Sequence, residues 1–338
     1  MKVALVYNKP ITGKPDSEDV LDEVELIIGA LDLLGYDFET FILDSEYLNS
    51  TLSEELCLLL KQLKRYSPDV VFNLVESVGD QQRYFPVVAS FFEISGYFHT
   101  GSPFDALLTT TDKILTKSVL TARGIPTPSW DQYRGNPACG PDFRIALNPP
   151  VIIKPACEDA SVGIDDRSVF HDPEAILSEL PEIYKRHNGQ PLLIEQFIDG
   201  REFNISLLEH RDGTVEVLPV AEMVFESWPE GKPRIVNYHA KWDKSSFEYQ
   251  HTVRTFNPEN APIEAIKETA LKCWHVFNLR GYARVDIRLS PDGKVYVIEA
   301  NANPCIASNS GFIMSAKERG YKIQDVIKEI IEVAVRKE

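Results

Sequence analysis

Hydrophobic positions along the chain switch between a period of two and a period near 3.6, and the first hundred residues set the rhythm. Lys2–Tyr7 is a short apolar run of strand type. From Asp16 to Leu34, Val20, Val24, Ile27, Ile28 and Leu31 recur at helical spacing, with Gly35 as the stop. Phe38–Leu43 predicts a second strand, Leu52–Tyr66 a second helix and Asp69–Val75 a third, nearly all-apolar strand. This β-α-β-α-β order predicts a small open parallel sheet. No GxGxxG follows any of its strands, so a dinucleotide site has no direct support. The third strand ends in Asn73–Ser77, at the carboxyl edge where such sheets bind ligands. Glu76 there is either a site residue or the cap of the next helix.

Past a junction signal at Gly101-Ser102-Pro103, Thr109–Lys113 predicts the opening of a helix that runs to Arg123 and stops at Gly124. Lys113 in its first turn opposes the helix dipole unless it has a use; a surface lysine is the alternative. Residues 135–150 read as loop, and Pro150–Pro155 as a buried strand carrying Lys154 near its end. The small residues of Ala156–Gly163 can form a flap whose backbone N–H groups approach phosphate oxygens. Leu192–Ile198 is a further strand, able to clamp a flat adenine, with Glu202 close enough to accept ribose hydroxyls. Val215–Phe225 continues a strand-rich region, and Tyr238–Trp242 places Lys241 between aromatics in a polar loop, where His239 reads as a surface residue. Pro262–Phe277 predicts a helix with Ile263, Ile266, Ala270 and Trp274 inward, and Tyr321–Val335 a last amphipathic helix.

Two alternating runs within 280–304 form the densest chemistry, joined at Ser290-Pro291-Asp292-Gly293. Arg284, Asp286 and Arg288 share one face of the first; Val295, Val297, Glu299 and Asn301 are expected to share a face of the second. A turn at Pro291-Asp292 sets Asp286 opposite Val297, and one at Asp292-Gly293 sets it opposite Glu299. Both put Asp286, Glu299 and Asn301 on one side, a hard-oxygen set suited to Mg²⁺, with Arg284 beside it to hold a phosphoryl or carboxylate oxygen. A solvated hairpin face is the plain alternative. The abrupt strand end at Asn301-Ala302-Asn303-Pro304 and the small-residue loop Cys305–Gly311 favour a site.

Bulk properties narrow the class. The 338 residues suffice for two or three domains, and 43% hydrophobic with 25% charged residues is an ordinary globular composition. A net charge of −16 argues against nucleic acid or an anionic membrane as partner. No run has transmembrane length, and the first residues are too short for a signal peptide. Five cysteines without a CxxC support neither a disulfide framework nor a zinc knuckle, which points to a cytoplasmic setting.

Taken in order, Lys113, Lys154 before its flap, Glu195-Gln196-Phe197-Ile198, Glu202, Lys241, Arg284-Val285-Asp286 and Glu299-Ala300-Asn301 resemble an ATP-grasp ligase. Over residues 70–310 the chain is similar to D-alanine–D-alanine ligases. The resemblance implies an α/β and α+β architecture: a Rossmann-like domain over 1–102, a central lid over 103–191 and a C-terminal ATP- and metal-binding domain over 192–338. It implies ATP phosphorylating a carboxylate and an amine attacking the acyl phosphate. Lys113, Lys154, Glu195–Ile198, Glu202 and Lys241 would contact ATP. Asp286, Glu299 and Asn301 would hold two Mg²⁺ (or Mn²⁺), with Arg284, Lys241 and Ser161 as the catalytic set. Glu76, Cys305 and Ser310 fall on the substrate side. A homodimer through the N-terminal domain is also implied, as are small amino-acid or carboxylate and amine substrates.

Departures concentrate on that substrate side. The family's Gly-Gly-x-Ser-x-Glu is missing after the first strand, where Asn8-Lys9-Pro10 stands with Asp16 and Glu18 as the nearby acids. Its His-Gly is Glu76-Ser77, its Gly-Ser-Ser-Val-Gly flap is Asp159–Gly163, its loop tyrosine is Trp242 and its Pro-Gly-Met is Pro304-Cys305-Ile306. The expected reaction is carboxylate–amine ligation, with Glu76 available to an ammonium group. D-alanyl-D-alanine, another amino-acid or carboxylate pair, a protein terminus as substrate, and a non-catalytic ATP-binding regulator are the readings left open.

Overall fold

The computed structural model describes residues 1–44, 51–79, 81–135, 147–256 and 258–336. Strand β1 (Lys2–Asn8) is followed by α1 (Pro15–Leu34), β2 (Asp37–Leu43), α2 (Thr51–Tyr66) and β3 (Val70–Leu74). The three strands pair in parallel in the order β2-β1-β3, as the alternation of elements predicts. Gly35 ends α1 in the left-handed region at φ 66°, so its backbone N–H closes on Asp32 and Leu31. After a 3-10 turn at Gln82–Tyr84 come α3 (Pro86–Ile94), α4 (Phe104–Thr111) and α5 (Lys113–Ala122).

The helix expected to open at Thr109 is thus two helices. Thr109–Thr111 end α4, Asp112 leaves helical geometry at φ −88° and ψ 105°, and its carboxylate caps α5 by accepting from Ile114 and Leu115. Lys113 remains in a first turn, that of α5.

A second sheet is antiparallel, in the order β4-β7-β5-β6, formed by β4 (Trp130–Tyr133), β5 (Val151–Pro155), β6 (Val169–Phe170) and β7 (Leu192–Gln196), with α6 (Pro173–Arg186) on it. Strand β7 lies inside this sheet, pairing with β4 and β5. Of the loop expected over 135–150, residues 136–146 lie outside the described ones. So does Cys139, while Cys57, Cys157, Cys273 and Cys305 are free thiols.

The third and largest sheet runs β11-β10-β8-β12-β13, with β9 on the far end of β8. Its strands are β8 (Arg201–Glu209), β9 (Val215–Val217), β10 (Ala221–Phe225), β11 (Thr252–Thr255), β12 (Tyr282–Leu289) and β13 (Val295–Asn301). Between β10 and β11 lie two short helices, α7 (Tyr238–Trp242) and α8 (Phe247–His251), so Lys241 sits in a helical turn capped by Asn237 and not in a loop. Helix α9 (Ile263–Val276) packs Ile266, Ala270 and Trp274 into the core under this sheet, and α10 (Gly311–Arg319) and α11 (Ile323–Ala334) close the chain. Val326, Ile327, Ile330 and Ile331 of α11 share one core with Val20, Val24, Ile27 and Leu31 of α1. The last helix thereby ties the large sheet to the first.

Over Arg284–Asp286 the β12–β13 register is the expected one that sets Asp286 opposite Glu299, and it shifts by one residue over Ile287–Leu289. The chain turns over Ser290–Lys294, with Gly293 at φ 82°, and Leu289 pairs with Val295. A bulge then inserts Ile298, which restores Asp286 opposite Glu299 while Ile287 faces Val297. Val297 consequently turns into the core at 0% exposure, away from the face carrying Glu299. The extra residue is what keeps the two carboxylates together.

Candidate active site

Paired strands β12 and β13 carry the acids, and the surrounding elements deliver the cations. Arg284 grips Asp286 through two bonds, Nε to Oδ1 at 2.8 Å and Nη2 to Oδ2 at 2.9 Å, and stands 3.8 Å from Glu299. Asn204 on β8 donates to the same Oδ1 at 2.8 Å. Burial pushes the Asp286 carboxyl up to about 6 against the pull of Arg284. Burial acts on Glu299 too, yet Lys113, Lys241, Arg284 and Lys154 overcome it and hold that carboxyl down at about 2. Asn301 ends β13, its side-chain oxygen accepting from the Asn303 N–H at 3.0 Å. Among the described residues no group of three or more His, Cys, Asp and Glu converges as a metal site. Two carboxylates and an amide oxygen still fit a hard cation whose remaining ligands come from phosphate and water.

A layer of lysines lies beneath. Glu195, 1% exposed, is held between Lys117 and Lys154, each ion-paired to one of its oxygens. Burial would raise its carboxyl, but the two ammonium groups keep it below its ordinary value. Lys117 also donates to the carbonyls of Val297 (3.2 Å) and Ile298 (2.7 Å), satisfying groups that the bulge takes out of the ladder. Lys113 reaches the flap, donating to the Glu158 carbonyl at 2.6 Å and Asp159 at 2.8 Å. Burial alone would lower its ammonium; Asp159 and Glu299 outweigh that and raise it.

Two cavities meet at Lys241. The smaller, about 100 Å³, has apolar walls from Ile152, Ile164, Phe197, Ile198, Ile235 and Ile298, with Lys154, Glu202 and Glu299 at its polar end. Gln196 lines it as well, whereas the Glu195 side chain is committed to the lysines. Glu202 is fixed by Arg288, whose Nη2 donates at 2.6 Å while Nη1 takes the Gly200 carbonyl at 3.1 Å. Gly200 has no alternative: a Cβ there would lie 2.1 Å from the Leu289 carbonyl oxygen.

The larger cavity, about 480 Å³, is lined by Asp16, Asp19, Glu76 and Asp159 on one side and by Arg254, Arg284 and Lys241 on the other. Glu76 does not cap the next helix, since neither the 3-10 turn nor α3 takes a side-chain cap; its backbone N–H is held by Asn8 at 3.0 Å and its carboxylate faces the cavity. Burial and the charges of Glu23, Asp19, Asp159 and Asp16 raise its carboxyl well above the ordinary range. Cys305 donates its thiol to Asp19 at 3.0 Å, and burial next to these acids raises that thiol too. Glu23, 2% exposed, accepts from the Ile306 N–H at 2.6 Å. Glu18 is not part of this wall and accepts instead from the Gly13 N–H at 3.0 Å. Ser310 caps α10, accepting from Ile313 at 3.3 Å.

The flap is shut by backbone carbonyls. Trp242 donates its indole N–H to the Ala160 carbonyl at 3.0 Å, and Ser161 donates to the Val236 carbonyl at 2.7 Å. Ala160 and Ser161 both have positive φ, 55° and 61°, which turns the flap toward α7. Tyr238 of α7 donates to Asp16 at 2.8 Å, so the same helix touches the first domain.

Residues 120–332 match the family described as D-ala D-ala ligase C-terminus. The chain belongs to the D-alanine–D-alanine ligase family. A D-alanine–D-alanine ligase of Carboxydothermus hydrogenoformans is 32% identical over 71% of this chain and 73% of its own. An uncharacterized protein of Sinorhizobium fredii, y4sG, is 30% identical over 82% of this chain and 81% of its own. In fold, the D-alanine–D-alanine ligase of Bacillus anthracis solved with ATP superposes at a TM-score of 0.73 with 20% identity, covering 99% of this chain and 98% of that one. Both expectations, an ATP-grasp architecture and family membership, hold.

For this ligase-family chain, sequence reading missed Lys117, Asp19, Glu23, Arg254 and the partnership of Arg288 with Glu202. Lys117 stands four residues after Lys113 and three before buried Leu120; Glu23 stands between buried Val20, Val24 and Ile27. A charge inside an apolar helical stripe was the available signal.

Proposed function

We propose that this ATP-dependent ligase activates an amino acid's carboxylate as an acyl phosphate and joins it to an amine, with adenine in the small cavity and both substrates in the large one. The observation that carries this reading is the sharing of Lys241 by the two cavities, with Glu299 lining the smaller and Arg284 the larger, so that the phosphates of ATP and a carboxylate can meet beside Arg284. Apolar walls suit the adenine ring, Glu202 a ribose hydroxyl, and Lys113, Lys154 and Lys241 the phosphates. Asp286, Glu299 and Asn301 would hold Mg²⁺, for which Mn²⁺ is a substitute; the metal, two ions by resemblance, supplies charge neutralisation of the transferring phosphoryl group.

The chain's own residues do the rest. Arg284 stabilises the negative charge that builds on the reacting oxygens. Lys241 enters from α7 with no ion pair among the described residues, and burial together with Arg284 lowers its ammonium, so it is free to follow phosphate. Ser161 and Trp242 keep the flap closed over the reaction and exclude water. The acidic wall of Asp16, Asp19 and Glu76 takes the ammonium of the carboxylate substrate, which aligns its carboxylate toward Arg284.

D-alanine is one candidate for that substrate and D-alanyl-D-alanine one candidate product. The setting is the cytoplasm, consistent with the absence, among the described residues, of a helix long and apolar enough to cross a membrane. A homodimer through the N-terminal domain is proposed on the family resemblance, with Ile94 at 81% and Phe98 at 47% exposure as apolar surface there. The test is phosphate release from Mg-ATP against D- and L-amino acids, singly and in pairs, with product masses recorded. Turnover with an amide product supports the reading; ATP binding without phosphate release under every pair would refute it.

A further inference from the structure

The acidic wall of the large cavity holds more charge than one amino-acid ammonium needs. Asp16 and Asp19 of α1 and Glu76 after β3 line the cavity together, and Glu23 lies buried on the same helix. Asp16, Asp19 and Glu23 follow at spacings of three and four, which puts them on one face of α1. The helix dipole accounts for Asp16 in the first turn, but its effect has faded by Glu23. Like charges at these spacings weaken a helix, so the stripe is a cost to the fold.

Among the described residues these acids are met by neutral donors alone. Tyr238 donates to Asp16 at 2.8 Å, the Cys305 thiol to Asp19 at 3.0 Å and the Ile306 N–H to Glu23 at 2.6 Å. The Glu76 carboxylate accepts no hydrogen bond among those residues, although it is half-buried against the cavity. Burial raises it, and the charges of Glu23, Asp19, Asp159 and Asp16 add to that; no cation acts against them. Carboxylates buried together without a counterion are relieved by a bound cation. The cavity's own cations do not supply it: Arg284 pairs with Asp286 and Glu299, and Arg254 and Lys241 line the opposite side.

Cys305 links the two sides, bonded to Asp19 and within electrostatic reach of Arg284. With the reacting carboxylate at Arg284, the α-ammonium one carbon away belongs at Asp19. Glu76 and Asp16 are then left over. Phe85, from the same first-domain segment as Glu76, gives the cavity an apolar surface on which a methylene stem packs. The volume of about 480 Å³ lies in the range that takes ligands far larger than alanine, about 300–1,000 Å³. We infer that the carboxylate substrate is a dibasic amino acid, its α-ammonium at Asp19 and the cationic end of its side chain at Glu76 and Asp16. This rests on the ligase reading and narrows it, since D-alanine has no second cation.

The test pairs diaminopropionate, ornithine and lysine with alanine, norvaline and norleucine, which keep each carbon chain and lose the second ammonium. D and L forms are assayed with Mg-ATP and hydroxylamine, whose nitrogen bonds to the acyl carbon as the bond to the phosphate oxygen breaks. The products are a hydroxamate and phosphate, so no amine substrate is needed. Binding of the same amino acids is measured by calorimetry with Mg²⁺ and a non-hydrolysable ATP analogue. Wild type is expected to prefer at least one dibasic member over its neutral partner by about 10- to 100-fold in kcat/KM and in Kd. Glu76→Gln should shrink that ratio and Glu76→Asp recover part of it. Asp19→Asn should instead weaken both members of a pair alike, because both carry the α-ammonium. Equal values across every pair, or a preference untouched by Glu76→Gln, would overturn the inference. Preferential binding of a dibasic amino acid without hydroxamate or phosphate release from any pair would keep the cation site and sink the ligase reading instead.

Discussion

The two cavities that share Lys241 manage charge in opposite ways. Around the smaller one the ions of the wall and of the layer beneath it are paired, Lys241 excepted: Glu195 with Lys117 and Lys154, Arg288 with Glu202. Around the larger one Asp16, Asp19, Glu23 and Glu76 converge with no basic side chain in ion-pair contact among the described residues, and among these Arg254 stands opposite without an acid. Protein donors such as the Cys305 thiol, the Tyr238 hydroxyl and the Ile306 N–H ease that acidic wall without neutralising it. A site built for one invariant cofactor can be completed within the fold. A site for exchangeable substrates leaves charges that each substrate must complete, and its residues are the ones that depart from the family pattern.

Breaking the paired half should have the largest effect. Glu299→Ala removes the carboxylate that four cations hold ionised, and phosphate release is expected to fall by about 10³-fold or more. Near-normal Mg²⁺-dependent turnover would remove Glu299 from the metal set. Next comes Lys117→Met, which strips Glu195 of one partner and takes the lysine donor from the Ile298 carbonyl. The expected cost is about 3–5 kcal/mol in a denaturant titration. A loss under 1 kcal/mol, about the value of an exposed pair, would show the lysine layer to be dispensable.

Changes in the open half should be milder and selective. Glu76→Gln is expected to leave stability intact, to raise KM for the carboxylate substrate about 10- to 100-fold and to leave KM for ATP unchanged. Equal effects on both constants would dissolve the distinction between the two cavities. The smallest effect concerns pH. Burial next to Asp19 lifts the Glu23 carboxyl from 4.5 to about 7, although the Cys305 thiol and the Ile306 N–H pull it down. The folded state then binds more protons than the unfolded one between these values, so stability should fall as pH rises from about 4.5 to about 7. Glu23→Gln keeps the bond from Ile306 and should flatten that fall. An identical pH profile in thermal melts of both proteins would place the charge elsewhere.

Much of this was legible in the chain because period and punctuation coincide. Val20, Val24, Ile27 and Leu31 followed by Gly35 define α1 from both sides, and the parallel sheet follows from the order of elements. The alternation Arg284-Asp286-Arg288 survives intact, since β12 is flanked on both sides by strands that hold its pleat. Its partner does not: β13 gains Ile298, because Lys117 and Thr127, far off in sequence, take the Val297 and Ile298 carbonyls. Local alternation cannot encode a tether of that kind. The Asp112 break was hidden for another reason, as three threonines and an aspartate serve equally as a helix end or a helix start. Arg254 gave no signal at all; an arginine on a four-residue edge strand is an ordinary surface residue until the loop at Asn309 and helix α10 close around it.

The joint core of α1 and α11 has a consequence for synthesis. A ribosome releases the first sheet and its helix some two hundred and fifty residues before α11, yet Val20, Val24, Ile27 and Leu31 are covered in part by Val326, Ile327, Ile330 and Ile331. The nascent N-terminal half must therefore carry a sticky stripe through most of translation, when chaperones rather than native contacts shield it. A chain cut before Ile323 should keep that stripe permanently, and is expected to elute as aggregate where the full chain elutes as a discrete species.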